Sequence, residues 1–110
     1  EAQDAYEEVI EIEPEFLDVW IDYSNMLFEQ EKRQEAVEVI NEGIEYNPKK
    51  AELYYRKTGY LLNMGESQNA YRVFEKALVL NYDKHIQLFE FLPQAKSNST
   101  IVELIDLYSN

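Results

Sequence analysis

One histidine and a large number of carboxylates are the side chains of this chain that could carry chemistry. His85 is the only histidine and there is no cysteine. Disulfides, thiolate metal sites and a cysteine nucleophile are therefore excluded, and a metal site at His85 would need carboxylates from elsewhere. One histidine without the glycine pattern of a nucleophile elbow does not assemble a Ser-His-Asp triad. We expect His85 to be a surface or junction residue, and we predict no catalytic residue and no metal ligand.

The carboxylates near the start of the chain are the second candidates. Asp4, Glu8 and Glu11 share one helix face, and Glu7 and Glu11 also lie one turn apart. Such clusters could bind Ca²⁺ or act as an acid–base pair, but no loop of the chain resembles a calcium-binding loop. We therefore favour a solvated acidic face. The three glycines are isolated rather than gathered in a phosphate-binding loop, so we expect no cofactor.

The charge balance limits the class of partner. Twenty-two acidic residues against ten basic ones give a formal net charge of −12. Because nucleic-acid binding needs Lys and Arg to displace counterions, we expect no nucleic acid and no membrane partner, but a basic or neutral protein segment. No apolar run is long enough to span a bilayer. The chain starts with Glu1 rather than Met, which indicates a fragment that an upstream signal or domain could precede, and we expect a cytoplasmic location.

The elements that would position these side chains follow an internal repeat of 34 residues. Small, apolar and proline positions recur at this period. The clearest columns are Ala2, Ala36 and Ala70; Tyr6, Ile40 and Phe74; Val9, Gly43 and Ala77; Trp20 and Tyr54; Leu27 and Leu61; and Pro14, Pro48 and Tyr82. So many matching columns indicate one structural unit that is repeated along the chain.

Within each period the apolar spacing is that of a helix. One helix face, at i, i+3, i+4 and i+7, consists of Trp20, Tyr23, Ser24 and Leu27. A polar break follows at Glu29–Gln34, and in the next period Gly65 suits a helix end that needs positive φ. Each period therefore predicts helix, short turn, helix. The positions that must allow close helix contact are Ala36, Gly43, Ala70 and Ala77.

These residues resemble the tetratricopeptide repeat family. Its pattern reads here as Trp20-x2-Tyr23-Ser24-x2-Leu27, Ala36-x3-Ile40 and Pro48, and then as Tyr54-x2-Lys57-Thr58-x2-Leu61, Ala70-x3-Phe74 and Tyr82. The resemblance implies an all-α fold, a right-handed α-α superhelix (solenoid) of antiparallel helix pairs, in one domain over 1–110. Complete repeats would occupy 17–50 and 51–84, and 1–16 would be the second helix of an earlier, truncated repeat of a longer repeat protein.

After residue 84 the pattern decays, and we expect degenerate C-terminal capping helices over 85–110. Pro93 should stop a helix that begins near Ile86. The polar stretch Lys96–Ser99 reads as a loop. Thr100 and Glu103 have the spacing of a capping box, which predicts a terminal helix over 100–109. Such an atypical end unit would cover the last apolar face of the solenoid.

In proteins of this kind the first helix of each repeat lines a concave groove that holds an extended peptide or a helix. The resemblance implies that the partner-binding residues are Asp18, Asp22, Asn25, Phe28, Glu29, Glu52, Tyr55, Arg56 and Asn63. Each of them taken singly could also be an ordinary surface residue. Some relatives clamp an acidic chaperone tail with Lys, Asn and Arg, but only Asn25 and Arg56 would fit such a clamp here, so we reject that subtype. We expect a basic or neutral partner with an apolar group for Tyr55 or Phe28.

Three functions remain open from the sequence. The first is a protein-interaction scaffold without catalysis. The second is an accessory repeat arm of a larger protein whose catalytic or signalling domain lies outside this chain. The third is self-association through the apolar face of the first helix, which holds Ala2, Tyr6, Val9 and Ile10.

Overall fold

Helices account for most of the chain. A computed structural model describes residues 2–109 (Ala2 by its backbone alone), and these form seven α-helices and two 3-10 helices. The α-helices are α1 (Ala2–Ile12), α2 (Leu17–Glu29), α3 (Arg33–Tyr46), α4 (Ala51–Asn63), α5 (Ser67–Leu80), α6 (Ile86–Phe91) and α7 (Ser99–Leu107). The 3-10 helices are Tyr82–His85 and Pro93–Ser97. The all-α prediction is confirmed, whereas the right-handed superhelix stays a prediction.

The helices divide into two compact units. The first, Glu1–Lys49, contains α1 to α3, and the second, Lys50–Asn110, contains α4 to α7. In the first unit α2 packs against α3, and in the second α4 packs against α5. Each predicted repeat therefore holds one helix pair. The limits of the repeats stay a prediction, and the two end residues of the predicted domain lie outside the described range.

Trp20 is the centre of the first unit. The predicted face of α2 is buried, and Trp20 itself is 1% exposed. Its ring stacks on Tyr46 at a centroid distance of 5.9 Å. A Cβ atom at Gly43 would lie 2.9 Å from Cγ of Trp20, so the glycine lets α3 approach the indole closely. The close-contact role predicted for Gly43 thus has a specific partner.

The carbonyl oxygen of Pro14 ties the turn between α1 and α2 to the rest of the unit. It accepts hydrogen bonds from Nε1 of Trp20 at 2.6 Å and from Nδ2 of Asn47 at 3.0 Å. Asn47 is 6% exposed, and its amide also donates to the Gly43 carbonyl at 3.1 Å. Both buried donors are therefore satisfied within the unit.

The turns between paired helices lie where the polar breaks predict them. The helix α2 ends at Glu29 and α3 begins at Arg33, while α4 ends at Asn63 and α5 begins at Ser67. Gly65 has a φ of 80°, as predicted for the residue just beyond α4.

The second unit has an aromatic core, and it accommodates Lys57 and Thr58, which stand where the repeat pattern usually has an apolar and a small residue. Tyr55 lies edge-on to Phe74 at 5.8 Å between ring centroids. Thr58 is fully buried, and its hydroxyl donates to the carbonyl oxygen of Tyr54, one turn earlier, at 2.8 Å. Lys57 is half-buried, and desolvation lowers the pKa of its ammonium group.

The start of the last helix differs from the prediction. The predicted loop Lys96–Ser99 belongs largely to the 3-10 helix Pro93–Ser97, and α7 begins at Ser99. Its N-cap is Asn98, whose Oδ1 accepts the backbone N–H of Ile101 at 3.0 Å, so Thr100 lies inside the helix. The amide of Asn98 also donates to the hydroxyl of Tyr71 at 3.2 Å. This contact with α5 holds the Asn98 side chain in place and explains why the capping box at Thr100 was the wrong prediction.

Tyrosines connect α7 to the rest of the second unit. Tyr82, which takes the place of the repeat proline, donates to the carbonyl oxygen of Ile105 at 3.0 Å. Tyr108 donates to the Glu75 carboxylate at 2.8 Å.

No helix in residues 2–109 has the length and hydrophobicity that a membrane-spanning segment needs.

Candidate functional site

The exposed face of α2 carries a stripe of polar residues. Asp18, Asp22, Asn25 and Glu29 are spaced four, three and four residues apart, so they line one side of the helix. The three carboxylates are exposed and Asn25 is half-buried. We call these four residues the α2 stripe. They form one continuous acidic surface opposite the buried face of the helix.

Phe28 adds an aromatic ring near the end of the α2 stripe. Its ring is half-buried, and the guanidinium of Arg33 lies 5.0 Å from the ring centroid. The same guanidinium lies 4.0 Å from the carboxylate of Glu31. Arg33 of α3 therefore meets Phe28 at this end, where the surface is no longer uniformly acidic.

The face of α4 predicted to bind a partner is engaged within its own unit. Glu52 pairs with Lys84, with 2.5 Å between Oε2 and Nζ. Burial alone would raise the pKa of Glu52, but the hydrogen bond and the charge of Lys84 outweigh it, so the pKa lies below its usual range. This carboxylate already has a cationic partner in the chain.

Tyr55 contributes almost no accessible surface. It is 1% exposed, and its hydroxyl donates to the carbonyl oxygen of Asn81 at 2.7 Å. Burial is also the main reason that the pKa of its phenol lies above the usual value. The ring therefore belongs to the core of the second unit, and an anchoring role for it would require the unit to open.

Phe91 of α6 covers the next turns of the same face. The Arg56 guanidinium lies 4.3 Å from the centroid of the Phe91 ring, and a Cβ atom at Gly59 would lie 2.5 Å from that ring. Asn63, at the end of α4, is exposed. Of the four α4 residues predicted for the groove, Asn63 is the one with an exposed side chain.

The covering of α4 by α6 was not found in the sequence. The aromatic residues after His85 indicated a helix, but nothing local specified which face of α4 it would meet. Gly59 was the available signal, because a glycine inside a helix marks a place where another side chain can approach the backbone closely.

The charge of the chain is divided unequally between the units. Residues 1–49 contain 15 acidic and three basic residues, and residues 50–110 contain seven of each. The whole net charge of −12 therefore lies in the first unit, which also carries the α2 stripe. A potential of this kind attracts basic partners over distances of about 8–10 Å at physiological salt.

His85 is the last residue of the 3-10 helix Tyr82–His85, directly before α6. Its Nδ1 is 2.8 Å from the carbonyl oxygen of Tyr82, and its ring is edge-on to Tyr82 at 4.8 Å and to Phe89 at 6.2 Å. Within residues 2–109 there is no group of three or more His, Asp or Glu residues arranged to hold a metal ion.

The sequence of the chain also matches a known family whose repeat unit is a pair of helices. A family model described as tetratricopeptide repeat matches residues 1–58, which is more than half of the chain. A comparison with curated proteins found no match.

Proposed function

The chain belongs to the tetratricopeptide repeat family, and from this membership we propose that it is a scaffold that binds a peptide or helix of a partner protein. Repeats of this family generally hold proteins rather than catalyse reactions, and we propose no catalytic activity for this chain. A cytoplasmic location is part of the proposal, and imaging of the tagged protein in its own cells tests it.

The observation that supports this proposal most strongly is the α2 stripe. Its carboxylates are exposed, they share one side of a helix, and they lie in the unit that holds the entire net charge. A partner segment with Lys or Arg at helical or extended spacing would be complementary to them. The half-buried ring of Phe28 would take an apolar side chain of the same segment.

The negative charge of the α2 stripe also disfavours two classes of partner, nucleic acids and anionic membranes. A surface of carboxylates repels phosphate groups, so neither nucleic acid nor an anionic membrane belongs to the proposal. Self-association through Tyr6, Val9 and Ile10 of α1 is a separate prediction; the three are half-buried, and the side chain of Ala2 lies outside the described residues.

Capture of partners by two matched variants tests the proposal. Asp18→Asn/Asp22→Asn removes two charges from the α2 stripe, and Glu8→Gln/Glu15→Gln removes two exposed charges elsewhere in the first unit. We expect cross-linking and mass spectrometry to recover a protein with the wild type and the control, and to recover much less of it with the stripe variant. Equal recovery by both variants would remove the α2 stripe from the proposal, and recovery of nothing above background would contradict the scaffold.

A further inference from the structure

A cavity in the first unit lies outside the α2 stripe. Its volume is about 330 Å³, at the small end of ligand pockets, and three carboxylates line it: Glu7 and Glu11 of α1 and Glu42 of α3. All three residues are exposed. Within residues 2–109 no lysine or arginine lies in ion-pair contact with any of them.

Apolar and aromatic residues make up the rest of the lining. Ile10 and Val39, both half-buried, contribute from α1 and α3, and the rings of Trp20 and Tyr23 contribute from α2. The hydroxyl of Tyr23 donates to Oε2 of Glu7 at 3.1 Å, which holds that carboxylate in position. The cavity therefore combines aliphatic and aromatic residues with three carboxylates in one lining.

These properties select an elongated cation over a compact one. The described carboxylates are not arranged to hold a metal ion, so no single small cation is surrounded by them. A lysine or arginine side chain has an aliphatic stem that packs on apolar walls and a charged end that reaches carboxylates several ångströms away. Three like charges around one cavity also give it a negative potential, which favours such an occupant.

We propose that this cavity, which we call the basic-side-chain pocket, receives a lysine or arginine side chain of a basic protein segment. The pocket is distinct from the α2 stripe, and the inference rests on the proposed function only in taking the occupant from a protein. The burial-driven rise in the pKa of Tyr23, to which Glu7 adds, agrees with negative charge next to this ring.

An NMR titration with an acetylated and amidated tetralysine peptide at low salt tests the pocket. We expect the largest amide shifts at Ile10, Glu11, Val39 and Glu42, with an equivalent tetraglutamine peptide producing none. The variant Glu11→Gln/Glu42→Gln should weaken tetralysine binding at least about fivefold, whereas the equally charged control Glu8→Gln/Glu15→Gln should stay within about twofold. Val39→Phe, which fills the pocket at constant charge, should weaken binding while the circular dichroism spectrum stays helical.

Several results would overturn the pocket. These are an absence of tetralysine binding, shifts concentrated on Asp18 and Asp22 of the α2 stripe, and equal weakening by the pocket variant and the control. Binding of spermine at the pocket without binding of tetralysine would assign the site to a small polyamine and would also overturn it. None of these results would contradict the proposed scaffold function, because that function is tested separately by partner capture with the stripe variant.

Discussion

Glu31 and Gly65 lie 34 residues apart and have the same left-handed backbone conformation, with φ values of 64° and 80°. In each turn the backbone two residues after the helix reverses the chain. The N–H of Lys32 bonds to the carbonyl of Leu27 at 2.9 Å, and the N–H of Glu66 bonds to the carbonyl of Leu61 at 2.9 Å. Both helices thus end in a Schellman motif, which usually holds a glycine at this position.

The first prediction concerns the residue in the left-handed position of the first unit. Glu31→Gly should raise the free energy of unfolding by about 1 kcal/mol, because a Cβ atom in this conformation costs about 1–2 kcal/mol and the added chain entropy of glycine offsets part of the gain. Chemical denaturation measures the difference. Glu31→Gln is the matched control, since it removes the same charge but keeps the Cβ atom. A glycine variant no more stable than the glutamine variant would contradict the backbone explanation.

The contact between Gly43 and Trp20 leads to a second prediction. Gly43→Ala should lower the free energy of unfolding by about 1–3 kcal/mol, because the new methyl group would meet the indole at 2.9 Å. In the matching positions of the next period the residues are Ala77 and Tyr54. Adding Trp20→Tyr should therefore recover part of the loss. A double-mutant cycle with no favourable coupling between the two substitutions would show that the indole is not the obstacle.

The ion pair between Glu52 and Lys84 should make stability depend on pH. The pKa of Glu52 is lowered in the folded chain, so its contribution is present above the usual pKa of a glutamate, about 4.3, and is lost as the pH falls through the lower, folded value. The difference in unfolding free energy between wild type and Glu52→Gln should thus be constant near pH 6–7 and shrink below about pH 4. In a Lys84→Met background this dependence should become much weaker, because the hydrogen bond and the charge of Lys84 are then gone. A stability difference that grows on acidification would contradict a lowered pKa of Glu52 in the folded chain.

The start of α7 provides a fourth prediction. Asn98→Ala removes the cap of Ile101 and the contact with Tyr71, and should cost about 1 kcal/mol of stability. Thr100→Ala, at the position that the sequence pattern favours, should cost only a few tenths of that amount. Thermal unfolding of the two variants distinguishes the caps. A larger loss for Thr100→Ala would restore the predicted capping box.

The helices could be predicted from the sequence because each signal for a helix face, break or end lies within a few neighbouring residues. The face of Trp20 and Leu27, the break at Gly65 and the stop at Pro93 depend only on helical spacing and on backbone preferences. The cap at Asn98 was missed although Asn is a good N-cap residue, and the contact that holds its side chain is made with a tyrosine 27 residues earlier in the chain. The left-handed Glu31 was also missed, because the turn has no glycine to mark it.

Contacts between residues far apart in the sequence also limited the prediction of the groove residues. Helical spacing correctly places Asp18 and Asp22 on an exposed face of α2. It cannot show that Tyr55 is buried or that Phe91 lies on Arg56, because these contacts are made by segments about 25–35 residues further along the chain. The division of charge between the units was readable from the sequence, but it becomes meaningful only once the boundary between the units is known.

The central claim is that the α2 stripe holds a basic or neutral partner segment, and the affinity of the captured partner tests it most directly. Calorimetry should be carried out with the wild type, with Asp18→Asn/Asp22→Asn and with the control Glu8→Gln/Glu15→Gln, at two salt concentrations. We predict a dissociation constant at least about fivefold weaker for the stripe variant, within about twofold of wild type for the control, and a smaller difference at high salt. Equal dissociation constants for the stripe variant and the control would contradict the claim.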